Sequence, residues 1–243
     1  MNRPLAASPA TVLLFTWAAG SVDAITYLSA RVFTANMTGN AVLLGISAGQ
    51  GKGNAAASSL VALMAFVGGV MLGALVVGEG DNASASSDVR RAVWLETLLL
   101  VVFAIVCFAP PSWEGRISVL LLIISSGLAM GVQSAAVRRL KMPGIATTYI
   151  TGTITSLFSG IVHHWRAPTS DRASSLSDEA TGLSKPVSTK RALVLQGEVF
   201  LSYAIAALAC AAVHTYWPTG VAVLPLVAIV AVDLSLARRT QSP

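Results

Sequence analysis

One acid stands apart from the rest of this chain. Asp23 lies about 13 residues into an apolar stretch that opens near Ala10, on the order of 20 Å along a helix axis at about 1.5 Å per residue. A charged side chain at that depth in a bilayer costs at least a few kcal/mol. Such acids face a cavity or a partner, and often bind protons or cations. The other reading is helix packing, with the carboxyl bonded to a nearby Thr or Asn. Two further groups are polar where the sequence is otherwise apolar. Asn36, Thr38, Gly39 and Asn40 sit in FTANMTGNAVLLG, and Thr147, Thr148, Thr151, Gly152 and Thr153 sit in IATTYITGTITSL. Their hydroxyls, amides and loosened backbone groups could line a path, with Gly permitting close approach. Alternatively each Thr caps its own helix or bonds back to its own carbonyls. Gln133 is a third candidate, able to bridge two polar groups without charge or to act as interhelical glue.

The remaining polar residues have blander readings. Glu96, Glu198 and Asp233 fall within about two turns of a span end, where Arg91, Arg191 and Arg238 are available as ion-pair partners; a vestibule is the alternative. Ala65, Gly69 and Gly73, and likewise Gly127, Gly131 and Ala135, form small-xxx-small ladders that let helices approach closely. Cys107 and Cys210 read as small buried hydrophobes, with no disulfide implied. His163-His164 is an interfacial pair that lacks the further ligands a metal would need. No His-Glu-x-x-His, Gly-x-Ser-x-Gly or phosphate loop occurs, so neither an enzyme nor a cofactor is expected.

These residues must be positioned by membrane helices. Apolar types make up 54% of the 243 residues and charged types only 11%, with a mean hydropathy of +0.71. A soluble domain carries charge on about a quarter of its residues. The composition therefore excludes a cytosolic enzyme, a nucleic-acid binder and a disordered chain. The net charge of +5 reads as cytoplasmic loop charge. Six stretches approach the roughly 20 apolar residues a crossing needs: Ala10–Ala30, Ser59–Gly78, Ala92–Ala109, Ile117–Val137, Ala192–Val213 and Thr219–Ala237. The first resembles a signal peptide, but its pattern recurs mid-chain, where no signal peptidase acts. The two Thr-Gly segments are poor full spans and suit re-entrant or broken helices. Residues 163–191, rich in Ser and Thr with mixed charges, read as a mobile loop.

An internal repeat organises the spans. Thr38-Gly39-Asn40 superposes on Thr151-Gly152-Thr153 at an offset of 113 residues, and Asp23 then meets Gln133 once a short gap is allowed. This divides the chain into 1–109 and 110–243, each with three spans and one Thr-Gly segment. If the Thr-Gly segments dip in and return, 13 of the 16 basic residues fall on one face. Basic residues gather on the cytoplasmic side, so the expectation is six crossings with both termini cytoplasmic. Three spans per half is an odd number, so the two halves would be inverted. The Thr38 segment then enters from outside and the Thr151 segment from the cytoplasm.

GSVDAITYL, FTANMTGNAVLLG and MGVQSAAVRRLKMPGIATTYITGTITSL together resemble the YoaK-type family of six-span bacterial membrane proteins, from about Ala10 to Arg239. The resemblance implies an inner-membrane location and supplies no reaction, substrate or site. The expected architecture is all-α: a polytopic helical bundle of about six spans, two re-entrant Thr-Gly segments and an inverted repeat. The expected function is transport or channelling of a small molecule or ion, with Asp23 as the protonatable or cation-binding group. A non-transporting assembly, regulatory or partner-binding protein is the competing class. The bilayer is the one partner implied; nucleic acid is not.

Overall fold

In the computed structural model the described residues are 8–78, 85–109, 115–140, 154–155, 157–158 and 190–240. Among them the long elements are all helices: α1 (Pro9–Ala30), α2 (Met37–Gly49), α3 (Gly53–Val77), α4 (Ala85–Cys107), α5 (Arg116–Arg139), α6 (Lys190–Tyr216) and α7 (Val223–Thr240). A 3-10 turn at Gly220–Ala222 leads into α7. The second Thr-Gly segment through Thr153, and the loop 163–191 up to the start of α6, lie outside the described residues.

The helix ends follow local chemistry. Ser8 caps α1 through its side chain, which accepts from the Thr11 N–H, and Pro9 follows at the first helical position. There its missing N–H leaves no bond unmade. At the other end Arg31 adopts the left-handed conformation at φ 57° and donates its N–H to Tyr27, which reverses the chain without a glycine. Hydroxyls within the helices are largely spent on their own backbone. Thr16, Thr26, Thr97, Ser125 and Ser126 each bond a carbonyl four residues back, so these polar residues need no partner across the bundle.

The fold is an all-α polytopic bundle. Among the described residues five helices are long and apolar enough to cross a membrane: α1, α3, α5, α6 and α7. The sequence also marks α4 as a span. At 23 residues it is long enough, but it carries Asp88, Arg90, Arg91 and Glu96, which dilute its apolar character. The 13-residue α2, about 20 Å long, is too short to cross.

Side-chain bonds fix how the helices alternate. Thr11 at the start of α1 bonds Ser235 near the end of α7. Arg90 at the start of α4 bonds Asp233. The amide of Gln133, near the end of α5, reaches the Phe15 carbonyl on α1. One end of the bundle, the base, therefore gathers the starts of α1 and α4 with the ends of α5 and α7. At the opposite end Arg116, which opens α5, bonds Asn54, which opens α3. Consequently α3 runs parallel to α5. The chain reverses at Trp217–Gly220, beside Phe108 at the far end of α4, and α7 then returns to the base, so α6 runs away from the base, parallel to α1.

The two small-residue ladders pack against each other. A Cβ on Gly69 would lie 2.2 Å from the Leu128 carbonyl oxygen, and one on Gly131 would lie 2.3 Å from that of Phe66. A Cβ on Gly127 would meet Ala65, and one on Gly73 would meet Ala135. All six ladder residues thus sit in a single seam between α3 and α5. The seam closes only because its backbones touch.

Candidate functional site

Chain reversal at Arg31 carries residues 31–36 back into the bundle rather than outward. Val32 packs there with Ala62 of α3 and Ile123 of α5, well inside the far ends of both helices. Short of the end of α1, this segment meets Asp23. Asp23 Oδ1 accepts from the backbone N–H groups of Thr34 and Ala35, both at 2.7 Å. Its Oδ2 accepts from the Asn36 N–H at 3.0 Å and from the Tyr203 hydroxyl of α6. Four donors converge on one buried carboxyl, and this arrangement suits the ionised carboxylate. The position is also favourable because α2 begins here, and a helix N-terminus attracts negative charge.

The neighbouring polar residues complete the fastening. Asn36 is the N-cap of α2, its side chain accepting from the Gly39 N–H. Asn40 is fully buried and clamps both backbone groups of Phe33: its Oδ1 accepts from the Phe33 N–H at 2.9 Å, and its Nδ2 donates to the Phe33 carbonyl. A Cβ on Gly39 would come within 2.9 Å of the Phe33 ring, so glycine there lets the ring lie flat. That ring stacks on Tyr27 at 4.9 Å, and the Arg31 guanidinium lies over Tyr27 in turn. Asp23, Asn36, Gly39 and Asn40 are thus one joint, holding the start of a half-length helix inside the bundle. Thr38 is exposed on α2 and takes no part in the joint.

Gln133 does not join Asp23. Its Nε2 donates to the Phe15 carbonyl at 3.1 Å, nearer the base, and its Oε1 is buried with no hydrogen-bond partner among the described residues. Thr148, Thr151, Gly152 and Thr153, with Thr147, lie outside the described residues. No group of three or more His, Cys, Asp or Glu able to hold a metal occurs among the described residues.

Two residues carry more weight than the sequence suggests. Tyr203 supplies one of the four donors to Asp23 across 180 residues of chain. A tyrosine amid an apolar span must find a partner for its hydroxyl, which was the available signal. Glu96 is the other. Asp233 does form an ion pair, but with Arg90 at 2.9 Å and not with one of the three expected arginines, while Arg91 pairs with Asp88. Glu96 has 0% exposure, and neither of its oxygens has a hydrogen-bond partner among the described residues. It lies five positions after Arg91, but its side chain turns inward with Leu100 and Phe103 instead of reaching the helix end.

A family model described as "Protein of unknown function (DUF1275)" matches residues 11–235. The chain belongs to this family. Its matched span takes in the Asp23 joint and Glu96. The chain is also similar to "UPF0700 transmembrane protein YoaK" from Bacillus subtilis (strain 168), with 42% identity over 144 residues. That match covers 59% of this chain and 62% of the relative's length. No solved structure matches the chain. A multi-pass membrane protein of an uncharacterised family is what these comparisons and the apolar helices together establish.

Proposed function

We propose that this protein is a small-molecule or ion transporter or channel of the bacterial inner membrane, with α2 as one wall of its central path. The observation that carries this reading is the start of α2, held inside the bundle by Asp23 through Thr34, Ala35 and Asn36. A half-length helix that starts at depth turns its positive dipole end toward whatever lies before it. Transporters use such broken elements at their substrate sites. In this reading the Thr151 segment is the counterpart of α2 on sequence grounds, and both termini are cytoplasmic. Helix pairing supports an inverted repeat: α3 lies parallel on α5 as α6 lies parallel on α1, and α4 meets α5 as α7 meets α1. Basic residues favour the base as the cytoplasmic end. Arg90, Arg91, Arg138, Arg139 and Arg238 lie toward it, whereas Arg31, Lys52 and Arg116 lie toward the other.

Solvent access tests the proposal. With Cys107 and Cys210 replaced by alanine, single cysteines at Asn36 and Thr38 are exposed to a membrane-impermeant thiol reagent in sealed vesicles. Labelling from the non-cytoplasmic face is the expected result. Labelling from neither face overturns it and favours the non-transporting reading, in which the joint only holds helices together.

A further inference from the structure

We propose that Glu96 is a binding site for a monovalent cation, a proton or Na+, inside the bundle on the side nearer the base. As a coupling site for transport it rests on the function proposed above; as a cation-binding carboxyl it stands on its own surroundings. Glu96 occupies the inward face of α4 in helical register with Val89, Ala92, Val93, Leu100 and Phe103, all of them buried. Both its oxygens are buried without a hydrogen-bond partner among the described residues. Asp23 shows the contrast, since its two oxygens take four donors. A carboxylate buried with no compensating charge or donor is strongly disfavoured, so Glu96 requires a positive partner that the described side chains do not provide.

The charged groups around it confirm the need. On α4 itself, Arg90 is engaged with Asp233 and Arg91 with Asp88. Of the helices packed against α4, α3 has no titratable side chain, and α5 has Arg116, Arg138 and Arg139 at its ends alone. α7 contributes Asp233, already paired, and Arg238 and Arg239 beyond it. None of these cations belongs to the middle of its helix, as Glu96 does. Among the described residues, Gln133 Oε1 is an unpartnered buried atom nearby in height, and it is another acceptor. Counting from the Thr11–Ser235 and Arg90–Asp233 bonds, Glu96 and the Gln133 amide lie within about one helical turn of each other along the bundle axis. Gln133 Oε1 is itself buried and unpartnered among the described residues. A carboxylate and an amide oxygen, neither with a hydrogen-bond partner among the described residues, suit a cation.

An apolar carbodiimide reads this site without any transport assay. Dicyclohexylcarbodiimide reacts with a protonated carboxyl in an apolar setting. The acid oxygen bonds to the central carbon, the acid proton moves to one nitrogen, and the adduct rearranges to an N-acylurea with nothing lost. The full-length protein in lipid nanodiscs is treated in choline buffer, with and without added Na+, from about pH 6 to about pH 9. Peptide mass spectrometry then locates the adduct. The expected result is an adduct on Glu96 and none on Asp23, absent in Glu96→Gln, at a yield that falls several-fold as pH rises. Suppression by Na+ at fixed pH identifies Na+ as the ion; pH dependence without it identifies the proton. The proposal is overturned if Glu96 gives no adduct at low pH without Na+, or if its adduct is indifferent to both pH and Na+. The second outcome marks a sealed structural acid. Thermal melting of Glu96→Gln confirms that a lost adduct is not a lost fold. A modified Glu96 with no solvent path to α2 leaves the site standing and removes the transport reading; the reverse pattern does the opposite.

Discussion

The Tyr203 hydroxyl donates to Asp23 Oδ2, so α6 is tied to α1 at the point where α1 fastens the start of α2. The pair joins three helices through one carboxylate. Tyr203→Phe removes one donor and leaves three, and a loss of about 1–3 kcal/mol is expected for a bond to a charged group. Asp23→Asn is worse, because its amide N–H groups face donors. The double variant should lose less than the sum of the two, since the residues share one bond. Thermal unfolding of the purified protein in detergent measures all three; strict additivity would contradict the pairing.

Asn40 is expected to control whether residues 31–36 stay tucked in. Asn40→Ala leaves the Phe33 N–H and carbonyl without their side-chain partner, at a cost of about 2 kcal/mol. Hydrogen exchange at Phe33 through Asn36 should accelerate while exchange in the middle of α5 stays slow. Equal acceleration in both would show that Asn40 supports the whole bundle and not this joint.

Glycine positions separate cleanly by what lies opposite them. Gly131→Ala places a methyl against the Phe66 carbonyl, and Gly69→Ala places one against the Leu128 carbonyl. Each should destabilise by about 1–3 kcal/mol through forced separation of α3 and α5. Gly45 on α2 has nothing within 4 Å of an added Cβ. Gly45→Ala is expected to be neutral or stabilising by up to about 1 kcal/mol, from helix propensity alone. Melting temperatures of the three variants decide it, and equal losses would refute the seam.

Arg90 and Asp233 join α4 to α7 at the base, but the Arg90 side chain is 39% exposed. Such a pair is worth about 0–1 kcal/mol and weakens with salt. Arg90→Ala should therefore shift stability little. The exchanged pair Arg90→Asp with Asp233→Arg should recover most of what either reversal loses alone. Recovery that does not diminish at high salt would point to a contact other than charge.

Much of this protein is legible in its sequence because much of it is local. A low charge fraction names the membrane. Apolar run length places helices over five of the six expected spans, and over α4 despite its charges. The 13-residue α2 follows from a Thr-Gly-Asn segment too short and too polar to cross. Asp23, Asn36, Gly39 and Asn40 stand out by type alone, and the structure brings all four into one joint. Both ladders are visible as four-residue spacings, since helical periodicity fixes which residues share a face.

Partner choice is not local, and tertiary structure alone decided it. Nothing in the spacing of Gly69 or Gly131 says that each ladder's partner is the other, in parallel. Asp23 could have faced an open cavity, but the returning chain and Tyr203, 180 residues away, occupy its oxygens. Glu96 and Asp233 look alike in sequence, each near arginines. Helix rotation sends Asp233 to Arg90 and turns Glu96 inward, away from every cation among the described side chains. The physical reason is the same in each case. A sequence fixes which side chains lie along one helix face, while the angle at which that face meets its neighbours depends on the packing of all the helices together.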